Sequence, residues 1–220
     1  MRLIGGSSVH TNNAGKAGGG LVVTGTCTVN IFEGSSVHSN RALDGAAGGL
    51  TVGTGAHVTI SGSTVSNNSC ACGVGGGIAV DPELPNAGKA TFDARGRVAT
   101  VEGWDSMSFV PGAPTNDPVA PVDLANDNTC GDNRIATYGV TFSPDPTLYR
   151  KGVPSFVIIS NSSVANNTSI RSAGGGIAAW RNGTIELVNG TLLSQDVSVE
   201  GSGGGVMLLD YATLHADKSV

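Results

Sequence analysis

The feature that most constrains this chain is a repeat. Segments 6–13 (GSSVHTNN), 34–41 (GSSVHSNR) and 62–69 (GSTVSNNS) align, with Val9, Val37 and Val65 spaced by 28 residues. The pattern returns at 161–168 (NSSVANNT) and 189–196 (NGTLLSQD), where Val164 and Leu192 again stand 28 apart, and Val220 follows after another 28. Five residues before the anchors stand Ile4, Phe32, Ile60, Ile159 and Leu187. After each anchor comes a glycine run and an aliphatic residue: Gly20-Leu21, Gly49-Leu50, Gly77-Ile78, Gly176-Ile177 and Gly205-Val206. The 12 to 14 residues between anchor and run place the length changes in one turn. A unit this short cannot bury its own apolar face, so the units must stack.

Stretches such as TVNIF, HVTIS, FVIIS and TIELV alternate aliphatic with polar residues, the signature of half-buried strands. No stretch combines a helical period with helix-forming composition. Each unit supplies three short runs, the arithmetic of one coil of a parallel β-helix. Coils stacked ~4.8 Å apart pile like residues into columns. The expected fold is all-β: a right-handed parallel β-helix of about five 28-residue coils with one long insertion. Residues 1–80 and 156–220 form the coils, and 81–155 the insertion.

Three residues after the anchors lie Asn12, Asn40, Asn68, Asn167 and Gln195, whose stacked amides can hydrogen-bond along the column. Asparagine also tolerates the left-handed backbone of a sharp turn. The glycine runs suit a tight corner or a close backbone approach.

The aliphatic-x-x-Asn turn followed by Gly-Gly-x-aliphatic resembles the FxxN and GGA(I/L/V) repeats of the bacterial polymorphic outer-membrane-protein family, and related repeats in protist surface proteins. The resemblance spans residues 4–80 and 156–220, with Val or Leu in place of Phe and Gly in place of Ala. It implies a right-handed β-helix of pectin-lyase-like architecture, exposed at a cell surface and often adhesive. It carries over no catalytic residue.

Between Val65 and Val164 lie 71 residues more than one repeat, and all nine prolines fall there, from Pro82 to Pro154. Proline cannot donate to a ladder, so this partition marks where coiling stops. Residues 90–102 are expected to form a hairpin around Arg95-Gly96, within an excursion packed on the side of the solenoid.

The net charge of −5 argues against nucleic acid and anionic membranes as partners. No apolar run approaches the roughly 18 residues of a spanning helix. Because both ends are in phase with the repeat, the chain reads as an excerpt of a longer array, with flanking coils and any signal peptide or anchor outside it.

Several clusters bear on chemistry. Glu102, Trp104 and Asp105 in the insertion combine an aromatic face with carboxylates. They can stack on a sugar ring, or the tryptophan can anchor the insertion. Asp residues form no column across the coils. Neither the Asn-Thr-Asp, Asp-Asp and Gly-His-Gly set of polygalacturonases nor the clustered Asp and Arg of pectate lyases is found. His10 and His38 share a column, but its third member is Ser66; a solvent-facing pair is favoured over a metal site. No cofactor is expected. Cys70, Cys72 and Cys130 can form a disulfide tying the insertion to the coils in an oxidising compartment, or stay reduced. Six glycosylation sequons occur, at Asn67, Asn161, Asn166, Asn167, Asn182 and Asn189.

The expected function is a non-enzymatic extracellular or cell-surface domain, a stalk or an adhesive module for glycans or surface proteins. The alternative is a polysaccharide lyase or glycoside hydrolase with carboxylates from the insertion.

Overall fold

The computed structural model describes residues 1–15, 18–43, 46–53, 55–71, 74–81, 90–92, 98–101, 154–170, 174–180, 183–209 and 212–219. The chain divides into two compact units, Met1–Glu83 with Lys151–Val220, and Leu84–Arg150. In the second, Ala90–Phe92 pairs antiparallel with Val98–Val101.

The first unit is a parallel β-solenoid. The chain visits four sheets in a fixed order, and the third circuit shows the pattern: His57–Ser61, Thr64–Ser66, Ser69–Cys70, then Ile78–Asp81. The first sheet has six strands and the other three have five each. Each coil therefore has four strands, one more than the three runs legible in the sequence. The overlooked strands, those of the third sheet, are two residues long and too short to show alternation.

Alternation puts one face of each strand into a common core. On the first sheet, Val29, Val58, Val157 and Ile185 form one inward column, and Leu3, Ile31, Ile60, Ile159 and Leu187 another. The second sheet contributes Val9, Val37, Val65, Val164 and Leu193. Leu21, Leu50, Ile78, Ile177 and Val206 close the core from the fourth. The middle coils are sealed, with Ile31, Val65, Ile78 and Ile159 each 0% exposed.

Register corrects three expectations. The last anchor is Leu193, which pairs with Val164, whereas Leu192 pairs with Ser163 and is exposed. In the first two coils the core residues are Leu3 and Ile31. Ile4 and Phe32 lie one step outside them, and Ile4 is exposed. Length changes occupy two corners rather than one. Between first and second sheets, Glu33, Gly34 and Ser35 fill the corner in one coil, but Gly62 and Ser63 suffice in the next. Between third and fourth sheets, the corner after Ala14 is one residue shorter than the corner after Ala42.

The insertion interrupts none of this. Phe156–Ser160 pairs in register with His57–Ser61 across 99 residues of sequence, and Thr64–Ser66 does the same with Ser163–Ala165. The excursion leaves after the fourth-sheet strand Ile78–Asp81 and re-enters at the first sheet.

Candidate functional site

The distinctive side chains of the coils gather at the corner between the second and third sheets. One residue there adopts the left-handed backbone in every coil: Thr11, Ser39, Asn67, Asn166 and Gln195, with φ between 53° and 56°. The next residue turns inward and builds a ladder. The left-handed position is thus taken by the residue before the ladder, and the inward asparagine is held by hydrogen bonds instead.

The ladder is continuous. Asn40 donates its backbone N–H and its Nδ2 to Asn68 Oδ1, both at 3.0 Å, and gives its other amide hydrogen to the Val9 carbonyl at 3.0 Å. Asn68 repeats this with Asn167 Oδ1 and the Val37 carbonyl. Asn12 starts the column by donating to Asn40 Oδ1. Asn40, Asn68 and Asn167 are buried, and a buried amide stays stable only because its donors and its acceptor are used. The last rung is Asp196, not Gln195. Asp196 Oδ1 accepts the backbone N–H and Nδ2 of Asn167, both at 2.9 Å. The shift follows from Leu193 being the anchor, which moves every later position by one.

The glycine pairs are shaped by this ladder. A Cβ on Gly49 would lie 2.8 Å from Asn68 Nδ2 and 2.5 Å from the Gly77 carbonyl oxygen. Gly77 is blocked in the same way by Asn167 and Gly176. The fourth-sheet strands thus begin with backbone pressed against stacked amides, where only glycine fits.

A second polar column stands two residues before each anchor, Ser7, Ser35, Ser63, Ser162 and Thr191, in which the Ser35 hydroxyl is buried without a partner. Ser63 donates its N–H to Ser162 Oγ at 3.2 Å, and the Ser162 hydroxyl donates to the Ser160 carbonyl at 2.6 Å. A separate link of the same kind runs from the Thr191 N–H to Ser219 Oγ at 3.2 Å. A hydroxyl-x-aliphatic signal marked this column in the sequence once Leu193 is taken as the last anchor.

Outward, the second sheet carries two columns of mostly short polar side chains: Ser8, Ser36, Thr64 and Ser163, then His10, His38, Ser66, Ala165 and Ser194. His10 and His38 stack, with ring centroids 5.0 Å apart and planes 6° from parallel. The Thr11 hydroxyl donates to the His10 carbonyl at 2.8 Å, so its oxygen accepts from His10 Nδ1 at 3.1 Å. His38 Nδ1 stands 3.2 Å from Ser39 Oγ. Among the described residues, no three His, Cys, Asp or Glu side chains gather as a metal-ligand group.

The sequons divide. Asn67, Asn161, Asn166 and Asn189 are exposed at left-handed corner positions. Asn167 corrects the expectation: it is 0% exposed, with both amide hydrogens donated inside the ladder, so it cannot carry a glycan in this fold. Cys70 is buried on the third sheet between Ala42 and Ser169. Cys72, Cys130, Asn182, Glu102, Trp104 and Asp105 lie outside the described residues.

Asp196 has one more property. Its Oδ2 is buried without a hydrogen-bond partner and lies against Gly176. Desolvation pushes the carboxyl up from 3.8 to about 6, against the lowering effect of the two Asn167 hydrogen bonds.

Fold and columns together define the chain as a parallel β-solenoid with an internal asparagine ladder. No protein family, curated protein or solved structure matches it. Among the described residues, no helix is long and apolar enough to cross a membrane.

Proposed function

We propose that the chain is a non-enzymatic domain of an extracellular or cell-surface protein, a rigid stalk whose polar faces and inserted segment hold glycans or protein partners. The observation that supports this most is the outward face of the second sheet. Ser8, Ser36, Thr64 and Ser163 repeat in register on successive coils, beside the exposed corner residues Thr11, Ser39, Asn67 and Asn166. Such a surface offers evenly spaced hydroxyl and amide groups at ~4.8 Å, suited to extended ligands with many weak polar contacts. The FxxN and GGA(I/L/V) resemblance supports the same reading through the polymorphic outer-membrane-protein type, within a pectin-lyase-like architecture.

The test is a glycan and polysaccharide screen of the folded chain that reads both retention and released product. Retention without turnover, weakened by Thr64→Arg with Ser163→Arg or by deletion of 82–153, is the expected result. Product release that disappears on replacing Glu102 or Asp105 would overturn it in favour of a carbohydrate-active enzyme. Retention unchanged by both the face variant and the deletion would remove these surfaces as the binding site.

A further inference from the structure

The asparagine ladder ends in a residue that cannot complete it as an anion. In each of Asn40, Asn68 and Asn167, one amide hydrogen goes to the carbonyl of the anchor valine one coil back: Val9, Val37 and Val65. The corresponding carbonyl for Asp196 is that of Val164, by the register that pairs Val164 with Leu193. Asp196 Oδ1 already does what an asparagine Oδ1 does, taking two hydrogen bonds from Asn167. Its Oδ2 therefore stands where Nδ2 stands in the other rungs, buried and without a partner. A carboxylate there presents a lone pair to a carbonyl; a carboxylic acid presents a hydrogen.

We propose that Asp196 is a protonation-dependent latch on the last full coil: with a proton on Oδ2 it takes the asparagine's place in the ladder, and without it the rung is broken. The proton comes from solvent and returns to it. Among the described residues, the groups that meet the carboxyl are neutral, namely the Asn167 backbone and amide and the Gly176 backbone. Glu186, Glu200, His215, Asp217 and Lys218, the other ionisable groups described on the last coils, are not among the causes that move it. The direction of the effect follows. The folded value is raised above the ordinary one, so the latch is fully closed below about pH 4 and opens as pH rises through about 6. The coil it holds is the one whose strands carry exposed Leu192, Val197 and Leu208, so opening would loosen an apolar edge.

The experiment uses the full chain. The side-chain carboxyl carbon shift of Asp196 is followed by NMR between about pH 4 and 8, alongside amide protection, corrected for intrinsic exchange, on Val197–Ser198 and Val206–Leu208. The expected midpoint is near 6, with protection falling as the carboxyl ionises. Asp196→Asn should hold the low-pH protection at every pH, and Asp196→Ala should lack it at every pH. A carboxyl already ionised at about pH 5 would overturn the proposal. So would an Asp196→Asn variant that loses protection with rising pH as the wild type does.

Discussion

Truncation of the central ladder residue, Asn68→Ala, should be far more damaging than the same change at Asn12. Asn68 is 1% exposed, and its side chain accepts from the Asn40 backbone and amide at 3.0 Å and donates to the Val37 carbonyl at 3.0 Å. Removing it strands the Asn40 N–H and one Asn40 amide hydrogen inside the solenoid and takes one hydrogen bond from the Val37 carbonyl. A buried polar group left without a partner costs about 1–3 kcal/mol, so two stranded donors and the lost Val37 bond should together cost about 3–5 kcal/mol. Asn12 sits exposed at the start of the column and only donates; its backbone N–H still reaches Asn40 Oδ1 after truncation. Its loss should cost about 0.5–1 kcal/mol. Urea unfolding followed by circular dichroism on wild type and both variants measures the difference. A gap below about 0.5 kcal/mol between the two variants would refute the reasoning, because the ladder would then contribute no more inside than at its end.

Gly49→Ala should destabilise by about 2–3 kcal/mol, since its Cβ meets the Gly77 carbonyl and Asn68. Gly25→Ala, with open space but φ of 64°, should cost only about 1 kcal/mol; urea midpoints of the two variants check the order. Made through a glycosylating secretory pathway, the folded chain should carry no glycan on Asn167, whereas Asn161 and Asn166 are open to modification; peptide mass mapping reads this directly. Because the Asp196 carboxyl is raised to about 6, Asp196→Asn should stabilise the chain above pH 6 and change little below pH 4. With solvent screening at this partly exposed site, the gain should be about 1 kcal/mol in thermal melting near neutral pH.

Much of this architecture was legible because stacking converts a one-dimensional period into columns. Val37, Val65 and Val164 announce a shared inward position, and Asn40, Asn68 and Asn167 a shared polar one. What failed did so at corners. A corner of Glu33, Gly34 and Ser35 and one of Gly62 and Ser63 have similar composition, so sequence spacing cannot say whether two or three residues turn the chain. Counting a fixed five residues back from each anchor therefore selected Phe32 over Ile31. The same one-residue ambiguity before Leu193 hid Asp196, because Gln195 fell at the expected offset and also bears an amide. The buried Asn167 reads as a sequon because a ladder asparagine followed by the polar third-sheet strand Thr168–Ser169 reproduces that motif by structural need. Function was less legible. The outward hydroxyl columns describe a surface and name no ligand.

The central claim is that the two halves of the repeat stack in register across the insertion. It is tested most directly by cysteines at Ser66 and Ala165, which are partners on adjacent strands although 99 residues apart. In a background with the native cysteines replaced, Ser66→Cys with Ala165→Cys should oxidise readily to a disulfide, because strands at ~4.8 Å fall within the bridging range. A control pair at Ser66 and Ser194, two coils apart, should not. Failure of the first pair to close, or equal closure of both, would contradict the register on which the ladder and the polar face depend.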